Sequence, residues 1–291
     1  MDVKAIDVHV HIPPWRMLKP DILPLWQKGK ENFERLREIT EDPEKLLAHL
    51  DEEGVERAVL INYVSPDVIG FTDEVNDFIV RYCQADRRRL IPVGSIHPRF
   101  ADEARAEAEM DRLYENGIRL LKIHPPHQLI YPNEYRAGLK SLETIYSKAQ
   151  EYGVAVIIHT GTSIFPRARI KYGDPIYLDD VAVDFPQLKL IMAHGGRPVW
   201  METAMFLLRR HENIYLDISG LPPQRLLHYF PKLESIAGKA MFGSDWPGPL
   251  VPSIGANLQR FLELPISDEA KTKIIYGTAS KLLSELENGD A

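Results

Sequence analysis

Two hydrophobic periods alternate along the chain. Residues 6–11, Ile-Asp-Val-His-Val-His, switch between apolar and polar at every step, which predicts a strand with both imidazoles on one face. After a stretch rich in Pro, Trp and Lys at 13–30, Leu46, Leu47 and Leu50 recur at helical spacing from Pro43, with Gly54 as a stop. An apolar strand at 55–64 follows. The same order then repeats. Helices predicted at 73–84, 102–115, 134–152, 178–185, 199–211 and 223–236 lead into strands at 90–96, 118–124, 154–159, 188–194, 214–219 and 240–244.

Apolar runs such as 154–158 and 188–192 are nearly continuous, as strands covered on both faces must be. Strict alternation of helix and strand predicts a parallel sheet, and eight strands close it into an α/β TIM (β/α)8 barrel. One domain over residues 1–291 is expected, with helices from 253 onward packed outside the barrel. An open doubly wound sheet is the alternative, and the first strand lacks the Gly-rich phosphate loop of its commonest use. The stretch 13–30 is too long for a turn and reads as a lid or pocket wall.

Composition narrows the class. A content of 44% hydrophobic and 26% charged residues is that of a globular protein with an ample core. The net charge of -7 and a single short basic run at 87–89 argue against a nucleic-acid partner. No apolar run approaches 18 residues and no leader pattern opens the chain, so neither a membrane partner nor secretion is expected. Cys83 is the single cysteine, which excludes an internal disulfide and suits a reducing cytoplasm. The expected partner is a small-molecule substrate, and a homodimer stays open.

Candidate chemistry gathers at strand ends. His9 and His11 end the first strand, His124 the fourth, His159 the fifth and His194 the sixth, while Asp245 follows the eighth. In a closed barrel those ends ring one mouth, so residues far apart in sequence come within ligand distance. Two histidines, a third from the fifth strand and a carboxylate from the eighth suit a mononuclear metal site with positions open for water.

The motifs Asp-x-His-x-His at 7–11, His-Thr-Gly at 159–161, Ala-His-Gly-Gly at 193–196 and Gly-Ser-Asp-Trp-Pro at 243–247 together resemble the amidohydrolase superfamily. The branch they resemble is the amidohydrolase-related group that includes aminocarboxymuconate-semialdehyde decarboxylase. The likeness runs from Ile6 to 276–279, where Thr278 stands in place of the Asn often found in that family. It implies that His9, His11, His159 and Asp245 bind one divalent ion, usually zinc, with manganese or cobalt as substitutes. It also implies that His194 is a catalytic group beside the ion.

The expected chemistry is hydrolysis of an ester, lactone or amide of a small, carboxylated molecule. A dication lowers the pKa of bound water from about 15.7 to about 7, and Asp245 is placed to take the proton. Some members of the branch decarboxylate instead, and that reaction is the alternative. Lys122 shares a face with His124; other branches carboxylate a lysine at this strand to bridge two metals, and a buried ion pair or a substrate-carboxylate contact is the reading preferred here. The basic loop after the fifth strand, with Arg167 and Arg169, and Arg197 beside the His194 motif are candidate contacts for an anionic substrate. His97 and His127 are weaker candidates, and His49, His211 and His228 read as helix-surface residues.

Overall fold

In the computed structural model, which describes residues 4–249 and 251–289, the strands follow in sequence order around a parallel barrel. They are β1 (Ala5–His11), β2 (Val55–Ile61), β3 (Leu90–Pro92), β4 (Leu120–Ile123), β5 (Ala155–His159), β6 (Leu190–Ala193), β7 (Ile214–Asp217) and β8 (Ala240–Met241). Regular pairing runs β1-β2-β3 and β4 through β8. Two seams join these arcs. At one, Gly94 N donates to Leu120 O at 3.0 Å and Lys122 N to Gly94 O at 2.8 Å. A Cβ on Gly94 would lie 3.1 Å from Leu113 Cδ1 and 3.2 Å from Ile118 Cγ2, so a side chain there would require those two to shift. At the other, Val8 N donates to Phe242 O at 3.0 Å, Asp245 N to His9 O at 2.9 Å and His11 N to Trp246 O at 2.7 Å.

The predicted barrel is therefore present, with shorter strands than the apolar runs suggest. Pro92 has no N–H to extend a ladder, and the chain beyond β8 turns at Asp245, whose φ is +66°. The helix predicted at 134–152 divides at Gly138 into Glu134–Ala137 and Lys140–Glu151. The one predicted at 223–236 divides into Pro223–Arg225, Leu226–Tyr229 and Leu233–Lys239, with Pro231 between the last two. Residues 13–30 fold into the turns Trp15–Met17 and Leu23–Gln27. A further helix, Phe33–Glu41, was not legible from the pattern; Asn32 caps it by accepting from Arg35 N, and Trp15 Nε1 donates to Thr40 Oγ1 at 2.9 Å.

The C-terminal helices do more than cover the outside. Ile274 O accepts from Phe242 N at 2.8 Å, and the buried Ile274 and Ile275 belong to the core. Cys83 is buried, as its apolar pattern predicts. Among the described residues no helix is long and apolar enough to cross a membrane.

Candidate metal centre

The centre is built on the buried end of β1. His9 Nδ1 lies 2.5 Å from Asp217 Oδ2 at the end of β7, and Asp217 in turn accepts from Ser219 N at 2.8 Å and Ser219 Oγ at 2.9 Å. Burial pushes the Asp217 carboxyl up to about 6, still ionised at neutral pH, so the imidazole proton belongs on Nδ1. His9 Nε2 is then a bare lone pair, buried and without a hydrogen-bond partner. The same logic fixes two more rings. His11 Nδ1 donates to Ile61 O at 3.1 Å, and His194 Nδ1 donates to Ser219 O at 2.8 Å.

Asp245 receives these rings. Its Oδ1 is 3.1 Å from His11 Nε2 and 3.6 Å from His9 Nε2. One ligand atom each from His9, His194 and Asp245 lies within 4.8 Å of the other two. Burial alone would raise the Asp245 carboxyl, yet the charge around it, the Arg197 guanidinium included, holds it below the usual carboxylate range. Unprotonated nitrogens facing an ionised carboxylate repel it unless a cation lies between them. The donor set therefore fits a divalent ion, and carboxylate–histidine support of the Asp217–His9 kind is what metal sites use to fix a ligand's tautomer.

The backbone is shaped to this end. His194 and Asp245 both adopt φ of +66°, a conformation that side-chain-bearing residues rarely hold unless the surroundings impose it. Gly243 leaves room for His9 and Asp217, since a Cβ there would lie 2.9 Å from His9 Cβ and closer still to Asp217 Oδ1. Asp7, two residues before His9, accepts from His9 N and Ser244 N at 3.0 Å each and ties β1 to the segment after β8. Asp217 should matter to the ion without touching it: Asp217→Asn is expected to weaken metal affinity about 10–100-fold in a competitive chelator titration. An unchanged affinity would remove its supporting role.

His159 stands one ring away. Its centroid is 4.7 Å from that of His194, and its Nε2 makes a long contact of 3.3 Å to Thr162 O. It begins a row of parallel imidazoles, stacking on His124 at 3.9 Å, which stacks on His127 at 3.7 Å. His124 Nδ1 and Lys122 Nζ are both buried without a hydrogen-bond partner. The preferred ion pair for Lys122 is thus not formed; burial instead pushes its ammonium down to about 8.

A cavity of about 590 Å³ opens above these groups, with Trp26 and Gly29 of the 13–30 segment in its wall, as a pocket wall there predicts. Arg197 lines it, but its guanidinium is engaged: Nε donates to Gly220 O at 2.9 Å, Nη1 to Thr162 O at 3.3 Å, and Nη2 lies 3.6 Å from Asp245 Oδ2. It braces Asp245 and two loops. Arg167 and Arg169 are not among the lining residues. Arg167 forms a two-point pair with Asp21 of the 13–30 segment, and Arg169 Nη1 turns to Ala168 O. Their basic loop is held by a neighbouring acid that sequence order does not place beside it.

A family model described as Amidohydrolase matches residues 6–284. The chain belongs to the amidohydrolase family. This amidohydrolase is 27% identical over 184 residues to a dihydroorotase of Helicobacter pylori, an alignment covering 62% of the chain and 50% of that relative. It thus spans about half the length of the curated relatives it matches. Among solved structures, an uncharacterized TIM-barrel protein from Bordetella bronchiseptica superposes with a TM-score of 0.79 at 25% identity, over 98% of this chain and 99% of that one. The 5-carboxyvanillate decarboxylase of Sphingomonas paucimobilis superposes with a TM-score of 0.64 at 17% identity, over 97% and 99%, a likeness of fold. The chain has the TIM barrel of that family, and its His9, His194 and Asp245 cluster fits a divalent ion.

Proposed function

We propose that this amidohydrolase hydrolyses an ester, lactone or amide bond in a small, carboxylated molecule. The observation that carries the reading is Asp245, an ionised carboxylate at the cavity floor that contacts both histidines of β1. His9, His11, His159 and Asp245 would hold the ion, zinc by preference, with His159 turning from its long Thr162 contact. When bound, the ion polarises the scissile carbonyl and acidifies a water. Asp245 takes the proton of the attacking water and returns it to the leaving group. Arg197 keeps Asp245 in place. His194, with Nδ1 committed to Ser219 O, offers Nε2 as an acceptor that orients the water.

Support for a carboxylated substrate comes from Lys122, a buried cation lining the cavity with an unpartnered Nζ. The same residue allows a second reading, non-oxidative decarboxylation, in which a cation beside the bound acid would steady the negative charge that moves onto carbon as neutral carbon dioxide leaves. A screen of lactones and esters beside aromatic carboxylates, run with zinc-loaded and chelated protein, tests both. Metal-dependent turnover of the first group is expected; turnover of neither, or turnover that survives chelation, removes the proposal.

The convergent atoms of the structure include His194, whereas the family motif at 159–161 assigns the ligand role to His159. Metal content separates the two. His159→Asn is expected to lose most of its metal and His194→Asn to keep it; the reverse result would place His194 in the ligand set and His159 beside it.

A further inference from the structure

Beginning at Tyr63, which packs edge-on against His11 at 6.3 Å, and running past His127 to Ser163, a polar arm that the proposed reaction does not use lies along the cavity. Tyr63 Oη lies 3.0 Å from His127 Nδ1, and His127 Nε2 lies 2.7 Å from Ser163 Oγ. Phe165 N donates to the same Ser163 oxygen at 3.3 Å. Tyr63 and Ser163 line the cavity, and His127 is buried behind them. One ring braces two members of the arm, since His124 stacks on Tyr63 at 4.7 Å and on His127 at 3.7 Å.

The direction of each hydrogen bond follows from what must be satisfied. Burial pushes the His127 imidazole down to about 3 and the Tyr63 phenol upward, so the ring is neutral with one proton and the phenol keeps its own. Were the ring proton on Nδ1, it would point at Tyr63 Oη and leave the hydrogen of the buried phenol without a protein acceptor among the described residues, whereas the half-buried Ser163 hydroxyl is the member better placed to face the cavity. The satisfied arrangement has Tyr63 O–H donating to Nδ1 and Nε2–H donating to Ser163 Oγ. With Phe165 N–H on the same oxygen, both of its lone pairs are taken. What remains to Ser163 is its hydrogen.

We propose that the Tyr63–His127 relay makes Ser163 a committed hydrogen-bond donor into the cavity, recognising an acceptor oxygen of the substrate, carboxylate or carbonyl, across the imidazole row from the metal centre. Two ring steps, 3.9 and 3.7 Å, separate His159 from His127. The arrangement also excludes Ser163 as a nucleophile activated by His127, because Nε2 already carries a proton and cannot accept one. This specificity role rests on the carboxylated-substrate reading; the tautomer beneath it does not.

Nitrogen NMR of the full chain labelled with ¹⁵N-histidine reads the tautomer directly, with His127 assigned through His127→Gln. Nε2–H is expected, shifting toward Nδ1–H in Tyr63→Phe; Nδ1–H in the unaltered protein overturns the assignment. Calorimetry on the zinc-loaded protein then compares isophthalate with benzoate. Isophthalate is expected to bind more tightly, with that advantage cut about tenfold in Ser163→Ala and in Tyr63→Phe, about what one lost charge-assisted hydrogen bond removes. No advantage in the unaltered protein, or one that persists in Ser163→Ala, overturns the recognition role. Covalent labelling of Ser163 by a fluorophosphonate would replace the donor with a nucleophile. Because the NMR result needs neither substrate nor turnover, a failed hydrolase reading and a failed relay are told apart.

Discussion

Asp245→Asn is expected to lower turnover by about 10²–10⁴-fold while metal content, checked in the same samples, is largely retained. The asparagine keeps an oxygen near His11 and His9 but cannot take up a proton, so the change isolates the base from the ligand. His194→Asn is expected to cost less, because in the hydrolytic reading that residue orients water without receiving its proton. In the unaltered protein, hydrolysis is expected to carry oxygen from labelled water into the product. Decarboxylation demands the opposite pattern: no water attacks, the proton goes to carbon, and His194 becomes the more sensitive position. Carbon dioxide release without solvent oxygen in the organic product would install the carboxy-lyase reading on the same fold and the same ligands. The two chemistries divide on Asp245 because its carboxylate is held ionised in a largely buried position, 3.1 Å from His11 Nε2.

How far the site can be read from sequence follows from how local each signal is. The His-x-His pair and Asp245 stand out because each lies at the end of a strand that announces itself, and the closed barrel then brings those ends together. Asp217 does not stand out. It is one polar residue in the short apolar run 214–218, and its importance comes from His9, 208 positions away in the chain and 2.5 Å away in space. Strand parity could have flagged it as inward-facing; nothing in the sequence names its partner. His127 hides behind Pro125 and Pro126 in a helical turn, Pro125–Gln128, and its relay with Tyr63 and Ser163 joins three separate strand-end loops. Arg167 shows the opposite error. Its charge beside the motif at 159–161 suggests a substrate contact, and only the folded position of Asp21 reveals that the charge is already matched. The helix Phe33–Glu41 escaped for a different reason: its buried residues, Leu36, Ile39 and Thr40, are too few to set a clear period among the charges around them.

Lys122→Met is expected to make the protein more stable and a poorer binder of anions. The ammonium is buried, Nζ has no hydrogen-bond partner, and a methionine of similar shape fills the space without the desolvation cost. Burial lowers the group from 10.5 to about 8, which at 1.36 kcal/mol per unit corresponds to a folded-state penalty of about 3 kcal/mol. The sign sets a pH signature. Below about pH 8 the lysine is protonated in both states and the whole penalty weighs on the native one; between about 8 and 10.5 the native state alone has released its proton, so the unaltered protein gains stability as pH rises. In chelated samples of both proteins, the advantage of the methionine variant should therefore be greatest near pH 7 and shrink toward pH 10.5. With zinc restored, KM for an anionic substrate should rise about tenfold while that for an uncharged one stays put, the loss being a single charge-assisted contact. A variant less stable than the parent at pH 7 would sink the argument, since the ammonium would then have to be satisfied. An intact mass heavier by one carbon dioxide would identify how, as a carboxylated Nζ. Lys122 would in that case belong with the metal ligands rather than with the substrate.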